Sequence, residues 1–485
     1  MTQSQKPRLF FDKGTVCIKN SGLVRIPQTK FDEHDNKTLR SFGLNYKEII
    51  EYLQKSDLDY IDQVPNYPSS PFFQMPNLKL RDYQKNALDR WIESSMRGCV
   101  VLPTGAGKTV VGIKAIEKVN AATLIIVPTI DLMEQWTQNL SRYLNQNTND
   151  EINATITTVG NLGGRKNNIQ PITVATYDSA YLRAPYIGNQ FKLVIFDEVH
   201  HLPAPGYRSI AEQLIAPYRL GLSATIRRED GLDDLIPRLV GGIVFQQGPK
   251  ELSEQKHLAE FNVERRQVNL TYEEQIQYNN YHSQFTESLA KLGFRIPSMH
   301  NIRRLIMMSN RNKIAREGLL ARNKANEIAL NSESKVEELQ KILQENRNAK
   351  TIIFTQNNKM VYYLSNKFLI PFITYKTGKD ERHDVLERFK SGQYNAVVTS
   401  KVLDEGIDVP DAELGIIVSG TGSGRELIQR LGRILRPKQD GKKARLIEIV
   451  SKQTRETNTS AKRITALRKN TESSVSSNEV SNADK

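Results

Sequence analysis

The chain has 485 residues, 38% of them hydrophobic and 25% charged, so it is too long for one ordinary core and too apolar for a disordered chain; length alone suggests roughly three domains. Its formal charge of +14 and pI near 9.4 favour a polyanionic partner, nucleic acid first. Two cysteines, Cys17 and Cys99, exclude a four-cysteine zinc or iron–sulfur centre and a disulfide framework.

His200 and His201 adjoin, but no cysteine lies near enough in sequence to complete a zinc pattern, so any metal is expected to arrive with a nucleotide. Met1 to Phe11 does not read as a secretory leader, and no run approaches the roughly 18 apolar residues of a membrane span. The expected location is the cytoplasm or the chromosome, with no membrane partner.

In chain order, residues 1–75 mix short strand-like pieces with an amphipathic helix near Asn45–Gln54 and end in a Pro-rich linker, Pro65 through Pro76. Residues 76–250 alternate apolar runs of strand length with helical patterns. The runs are Cys99–Leu102, Thr123–Val127, Ile172–Thr176, Leu193–Phe196 and Arg219–Ser223. Residues 251–451 repeat that grammar with Thr351–Thr355, Ala396–Thr399, Leu414–Val418 and Arg445–Ile449, interrupted by a helical insertion within Glu273 to Gln344. Residues 452–485 are rich in Ser, Thr, Asn and Lys and read as a disordered basic tail. The fold class is α/β: two parallel-sheet lobes facing each other across a cleft, with an N-terminal α+β domain.

Arg81-Asp82-Tyr83-Gln84 precedes the first lobe; the Gln84 amide matches the paired donor and acceptor of an adenine edge, and an ordinary helix start reads equally well. Next, Val100 to Pro103 runs into Thr104-Gly105-Ala106-Gly107-Lys108-Thr109: strand, Gly-rich turn, helix start. Glycines let backbone N–H groups approach phosphates, Lys108 reaches the β- and γ-phosphates of ATP, and the Thr109 hydroxyl meets Mg²⁺. Leu102 stands where the strict P-loop pattern has Gly. Leu193 to Phe196 then ends in Asp197-Glu198-Val199-His200, which places Asp197 for Mg²⁺, through water, and Glu198 to orient or activate the attacking water. Ser223-Ala224-Thr225 is a small polar loop suited to coupling the lobes.

In the second lobe Asp404 to Pro410, with Gly406 and Asp408, reads as a loop sensing nucleotide and strand together. Gln429, Arg433 and Arg436 share one face of a predicted helix, where the two arginines serve as fingers on the γ-phosphate.

The order from Gln84 through the P-loop, Asp-Glu-Val-His, Ser-Ala-Thr and Gln-Arg-x-Gly-Arg-x-x-Arg resembles that of superfamily two helicases, over roughly Leu80 to Ser451. Residues 80–84, 195–203, 228–230, 402–410 and 430–437 more narrowly resemble the archaeal XPB (xeroderma pigmentosum B) helicases. That resemblance implies RecA-like lobes, a damage-recognition-like domain over residues 1–75 and a thumb-like insertion over about 285–330. It also implies a DNA-opening role for Arg228, Glu229 and Asp230. Arg303, Arg304, Arg311, Lys313, Arg316, Arg322 and Lys324 crowd the insertion against Glu317, as phosphate contacts would.

The implied activity is a 3′-to-5′ DNA helicase coupled to ATP hydrolysis and serving nucleotide excision repair. A duplex translocase working with a nuclease partner is the alternative, and a non-catalytic DNA-binding scaffold would predict a damaged ATP site. An RNA helicase fits less well, because the second motif ends in Val-His rather than Ala-Asp.

Overall fold

Alternating apolar positions fold Arg8–Asp12 (β1) and Thr15–Lys19 (β2) into a hairpin with Leu9 opposite Ile18 and Phe11 opposite Val16. Lys30–Phe31 (β3) and Thr38–Phe42 (β4) extend it antiparallel, and Ile61–Gln63 (β5) joins β1 in parallel, giving the order β3-β4-β2-β1-β5. The expected amphipathic helix is Tyr46–Lys55 (α1), which buries Ile49 and Leu53 in a core with Leu9, Val16 and Ile18. This computed structural model describes residues 6–20, 26–33, 35, 37–69, 75, 77–144, 159–228, 230–254, 261–294, 299–400, 412–420 and 444–472. It divides into two compact units, Met1–Gly248 and Pro249–Lys485.

The rest of the first unit is lobe 1. Its helices are Asp82–Glu93 (α2), Lys108–Val119 (α3), Ile130–Leu144 (α4), Tyr177–Ile187 (α5), Arg208–Gln213 (α6) and Ile236–Leu239 (α7). Its strands are Arg97–Val101 (β6), Thr123–Val127 (β7), Gly160–Gly163 (β8), Lys166–Asn168 (β9), Ile172–Thr176 (β10), Leu193–Asp197 (β11), Tyr218–Ser223 (β12) and Ile243–Gln246 (β13). They form one sheet, β13-β6-β12-β11-β7-β10-β8-β9, parallel except at β8–β9. The strands after which the P-loop, Asp197 and Ser223 follow (β6, β11 and β12) lie side by side, so their carboxyl ends share one edge, where α/β sheets carry ligands.

The N-terminal sheet sits directly on lobe 1. Gly14, at φ +81°, and Gly43 press on Gln213: a Cβ at Gly14 would fall 2.6 Å from Gln213 Cγ, and one at Gly43 2.5 Å from its carbonyl oxygen. The Pro-rich stretch is pinned at both ends rather than free. Asn66 N–H donates to the Asn189 carbonyl (2.9 Å), and Met75 N–H donates to Glu117 (2.6 Å).

Arg219 holds the lower side of lobe 1 together. It is fully buried, and its guanidinium donates to the carbonyls of Ala211, Leu214, Ala216 and Leu239 at 2.6–3.1 Å. Those carbonyls close α6, α7 and the turn into β12. Arg219→Met would strand several of them without donors, at about 1–3 kcal/mol each. The expected result is a melting temperature lowered by several degrees; an unchanged melt would show that water replaces the guanidinium at no cost.

In the second unit Pro249–Glu254 (α8) leads to Phe261–Val268 (β14), then to four helices: Tyr272–Lys291 (α9), Met299–Met308 (α10), Lys313–Leu330 (α11) and Glu333–Glu345 (α12). Thr351–Phe354 (β15), Asn358–Phe368 (α13), Phe372–Ile373 (β16), Lys379–Ser391 (α14), Ala396–Thr399 (β17), Leu414–Ile417 (β18) and Ala444–Ser451 (β19) complete lobe 2. Its sheet is parallel throughout, in the order β14-β19-β18-β15-β17-β16.

The thumb-like insertion begins earlier than residue 285. Helix α9 is continuous from Tyr272, started by a capping box in which Thr271 accepts from Glu274 N–H. Phe285, Leu289, Leu305, Ala315 and Ala321 give the insertion its own core, whereas α12 packs Val336, Leu339 and Ile342 into lobe 2.

The disordered tail expected over 452–485 is corrected for residues 455–472, where Arg455–Glu472 (α15) is a helix locked to lobe 2; residues 473–485 lie outside the described residues. Lys335, fully buried on α12, pairs with Glu456 at 2.7 Å and donates to the Val418 carbonyl at 2.8 Å. Arg463, also buried, pairs with Glu448 of β19 and donates to the Gly420 carbonyl at 3.0 Å. Composition misled here because Glu456 and Arg463, charges that ordinarily mark a solvated segment, are paired inside lobe 2. Among the described residues no helix is long and apolar enough to cross a membrane.

Candidate functional site

The P-loop turn needs glycine for backbone reasons. Gly105 and Gly107 have φ of +84° and +76°, and a Cβ at Gly107 would sit 2.5 Å from Gln84 Nε2. Helix α3 starts at Lys108 without a side-chain cap, so its first N–H groups face an anion site. The Gln84 amide oxygen accepts from Arg81 N–H and its Nε2 donates to the Ala106 carbonyl, both at 2.9 Å, while Tyr83 donates to the same carbonyl at 2.8 Å. Arg81 and Gln84 therefore cap α2 and brace the phosphate loop. Of the two sequence readings, this geometry displays the helix start.

Lys108 reaches along the loop, donating to the Leu102 carbonyl at 3.3 Å with its ammonium 4.0 Å from Glu198 Oε1. The Thr104 hydroxyl oxygen is buried in the loop without a hydrogen-bond partner. An orphaned hydroxyl, an ammonium held by a carbonyl and an uncapped helix start form a donor set that fits nucleotide phosphates.

Asp197 ends β11, 5% exposed. Its Oδ2 accepts the Trp136 indole N–H at 2.8 Å, and its Oδ1 accepts Glu198 N–H at 3.0 Å. Burial, reinforced by the neighbouring Glu198 carboxylate, pushes Asp197 up to about 6. A buried carboxylate at the tip of a parallel strand calls for a cation, and with Thr109 on α3 it fits Mg²⁺.

Glu198 occupies the left-handed region at φ 48°, a conformation a β-carbon disfavours. That turn aims its carboxylate back at the loop, where Ser223 donates to Oε2 at 3.1 Å. Fully buried His200 lies 3.0 Å from the Ser223 hydroxyl through Nδ1. The Ser-Ala-Thr loop thus touches the Asp-Glu-Val-His turn inside lobe 1.

Arg228 bonds to both oxygens of Asp230, at 2.8 and 2.6 Å, and also to the His200 carbonyl. The Arg228 fork holds Asp230 down to about 2. Glu229 lies outside the described residues, as do Gly406, Asp408, Gln429, Arg433 and Arg436.

In the insertion Arg303, Arg304 and Arg311 are all exposed, with Arg304 5.3 Å from the Phe294 ring centre. Arg316 closes the α10–α11 turn by donating to the Ser309 and Asn310 carbonyls. Arg322 departs from the expected basic face: it is partly buried, and that burial lowers its pKa.

Sequence reasoning missed Trp136 and Tyr83. Each acts on a residue distant in the chain, and the only sequence signal was a lone tryptophan in an otherwise polar turn of α4.

Family comparisons match residues 9–64 to the xeroderma pigmentosum group B helicase damage recognition domain. They match residues 77–228 to the type III restriction enzyme res subunit and residues 321–471 to the ERCC3/RAD25/XPB C-terminal helicase. The chain is 43% identical to the DNA 3'-5' translocase XPB2 of Sulfurisphaera tokodaii, over 86% of this chain and 92% of that one. It is 30% identical to the DNA 3'-5' helicase XPB of Mycobacterium tuberculosis, over 77% of this chain and 61% of the relative. The XPB subunit of general transcription and DNA repair factor IIH of Schizosaccharomyces pombe is 26% identical over 89% of this chain but only 52% of its own length. A crystal structure of the Pyrococcus furiosus Hef helicase domain, 19% identical, covers 81% of this chain and 99% of its own with a TM-score of 0.52, a likeness of fold. The two parallel-sheet lobes, the P-loop and these matches together establish that the chain belongs to the archaeal branch of the XPB helicase family.

Proposed function

We propose that the chain is an ATP-dependent DNA motor, hydrolysing ATP with Mg²⁺ to open duplex DNA with 3′-to-5′ polarity or to translocate along it. One observation carries the reading: Lys108, Glu198 and Ser223 converge at the phosphate loop, with Asp197 beside them. Mg²⁺ supplies charge neutralisation at the phosphates. Thr109 and Asp197 hold the cation, Asp197 through water, and Lys108 binds the β- and γ-phosphates. The N–H groups of Thr104 to Gly107 line the loop, and Arg81 and Gln84 are assigned to the adenine side. Glu198, steadied by Ser223, orients a water and takes its proton. Gly406, Asp408, Gln429, Arg433 and Arg436 are assigned to the nucleotide on sequence pattern alone, the two arginines to the γ-phosphate.

DNA is the substrate on the strength of the +14 charge and of the exposed Arg303, Arg304 and Arg311, which suit backbone phosphates. Arg228, Glu229 and Asp230 are assigned to parting the duplex. A role in nucleotide excision repair at the nucleoid, with a nuclease partner, belongs to the same reading.

Lys108→Ala is expected to reduce DNA-stimulated ATP hydrolysis by about 10²–10³-fold. Steady-state turnover with single-stranded and with duplex DNA measures it. A wild-type chain that hydrolyses nothing under either condition would overturn the reading. A duplex translocase is the second reading, favoured by the name of the Sulfurisphaera relative. Triplex displacement without strand displacement would select it.

A further inference from the structure

Trp136 is fully buried on α4, far in sequence from the loop and strand it serves. Its indole N–H ends on Asp197 Oδ2 at 2.8 Å. Its six-membered ring lies against Gly112 of α3, one helical turn beyond Lys108; a Cβ there would come within 2.7 Å of Trp136 Cη2 and 3.2 Å of Leu222 Cδ1 on β12. The side chain therefore bridges the P-loop helix and β11, the elements that carry Lys108 and Asp197. Gly112 makes room for it.

The chemistry of the donor is as informative as its position. A buried carboxylate needs hydrogen bonds to stay ionised, and a Lys or Arg partner would supply them while repelling a cation. An indole N–H is neutral: it fixes one oxygen while leaving the carboxylate's full negative charge in place. With Glu198 N–H on the other oxygen, the plane of the carboxylate is set from both sides by uncharged donors. Groups of this kind, which orient a metal ligand without touching the metal, commonly govern affinity by about 10–100-fold.

We propose that Trp136 is a positioning residue for the nucleotide-borne Mg²⁺, acting through its N–H on Asp197 and through its ring on the spacing between α3 and β11. The proposal rests on the ATP reading above.

Trp136→Phe in the full chain removes the donor and shortens the ring that reaches Gly112. Binding of a fluorescent ADP, N-methylanthraniloyl-ADP, is titrated first in EDTA and then against Mg²⁺. The expected result is unchanged affinity in EDTA and a Mg²⁺ half-saturation raised about 10–100-fold. On an Asp197→Asn background the same substitution is expected to add nothing. Equal Mg²⁺ dependence in wild type and Trp136→Phe would overturn the proposal and leave the ATP reading intact. If wild-type nucleotide binding ignores Mg²⁺, the ATP reading itself falls. Should Trp136→Phe not fold, an isosteric benzothiophene side chain inserted at position 136, with sulfur in place of N–H, decides: wild-type Mg²⁺ dependence refutes the donor's role, and a raised requirement supports it.

Discussion

Glu198→Gln is expected to lower ATP turnover by about 10²–10⁴-fold while ADP still binds. The substitution is nearly isosteric, so the left-handed turn at φ 48° and the Ser223 hydrogen bond at 3.1 Å are kept. What disappears is the negative charge that accepts a proton from water. Lys108 lies 4.0 Å from Glu198, beyond a good hydrogen bond, so its reach to phosphate does not depend on that carboxylate. Lys108→Ala should weaken nucleotide binding, whereas Glu198→Gln should spare it. Steady-state hydrolysis paired with ADP titration separates the two. Turnover within tenfold of wild type would remove Glu198 from the role of base.

Ending the chain at Ser451 is expected to abolish a stably folded lobe 2. The cut discards Glu456 and Arg463, leaving Lys335 buried without its charged partner and Glu448 buried with only Arg265, at 3.6 Å, still beside it. An uncompensated buried charge such as Lys335 costs about 3–5 kcal/mol, and with the weakened pairing of Glu448 the loss approaches the 5–15 kcal/mol that holds a typical domain. Lys335→Met alone should cost about 3–5 kcal/mol, because Glu456 then stays buried with the Ser451 N–H but without its Lys335 partner. The double variant Lys335→Met/Glu456→Leu should recover much of the loss. Denaturant unfolding of the single and double variants, with limited proteolysis of the shortened chain, checks the set. A shortened chain as resistant as the full one would mean that the buried pairs contribute little.

Central strands were readable from sequence because burial on both faces requires unbroken apolar runs: β7, β10 and β17 have the expected limits to the residue. Edge strands were not. Gly160–Gly163 and Lys166–Asn168 hold little apolar matter, and β14 carries Arg265 and Arg266 in its middle. Arg266 is tolerated because Glu264, Glu338 and Glu345 surround it, two of them more than seventy positions away. The same distance hid Trp136 from a reading that found Asp197 by local pattern, since 61 positions separate the partners. The C-terminal helix failed for a related reason: periodicity reports which residues face a core, and its buried face is built partly of Ser460, Glu456 and Arg463. The family match through residue 471 covers nearly all of that helix.

The chain has only two tryptophans, and both are committed in lobe 1: Trp91 donates to the Arg219 carbonyl and Trp136 to Asp197. Intrinsic emission is therefore blind to the second unit, whose unfolding would pass unseen at tryptophan wavelengths. A single smooth emission transition would describe lobe 1 alone, and agreement with circular dichroism, which samples every helix, becomes the test of whether the two units melt together.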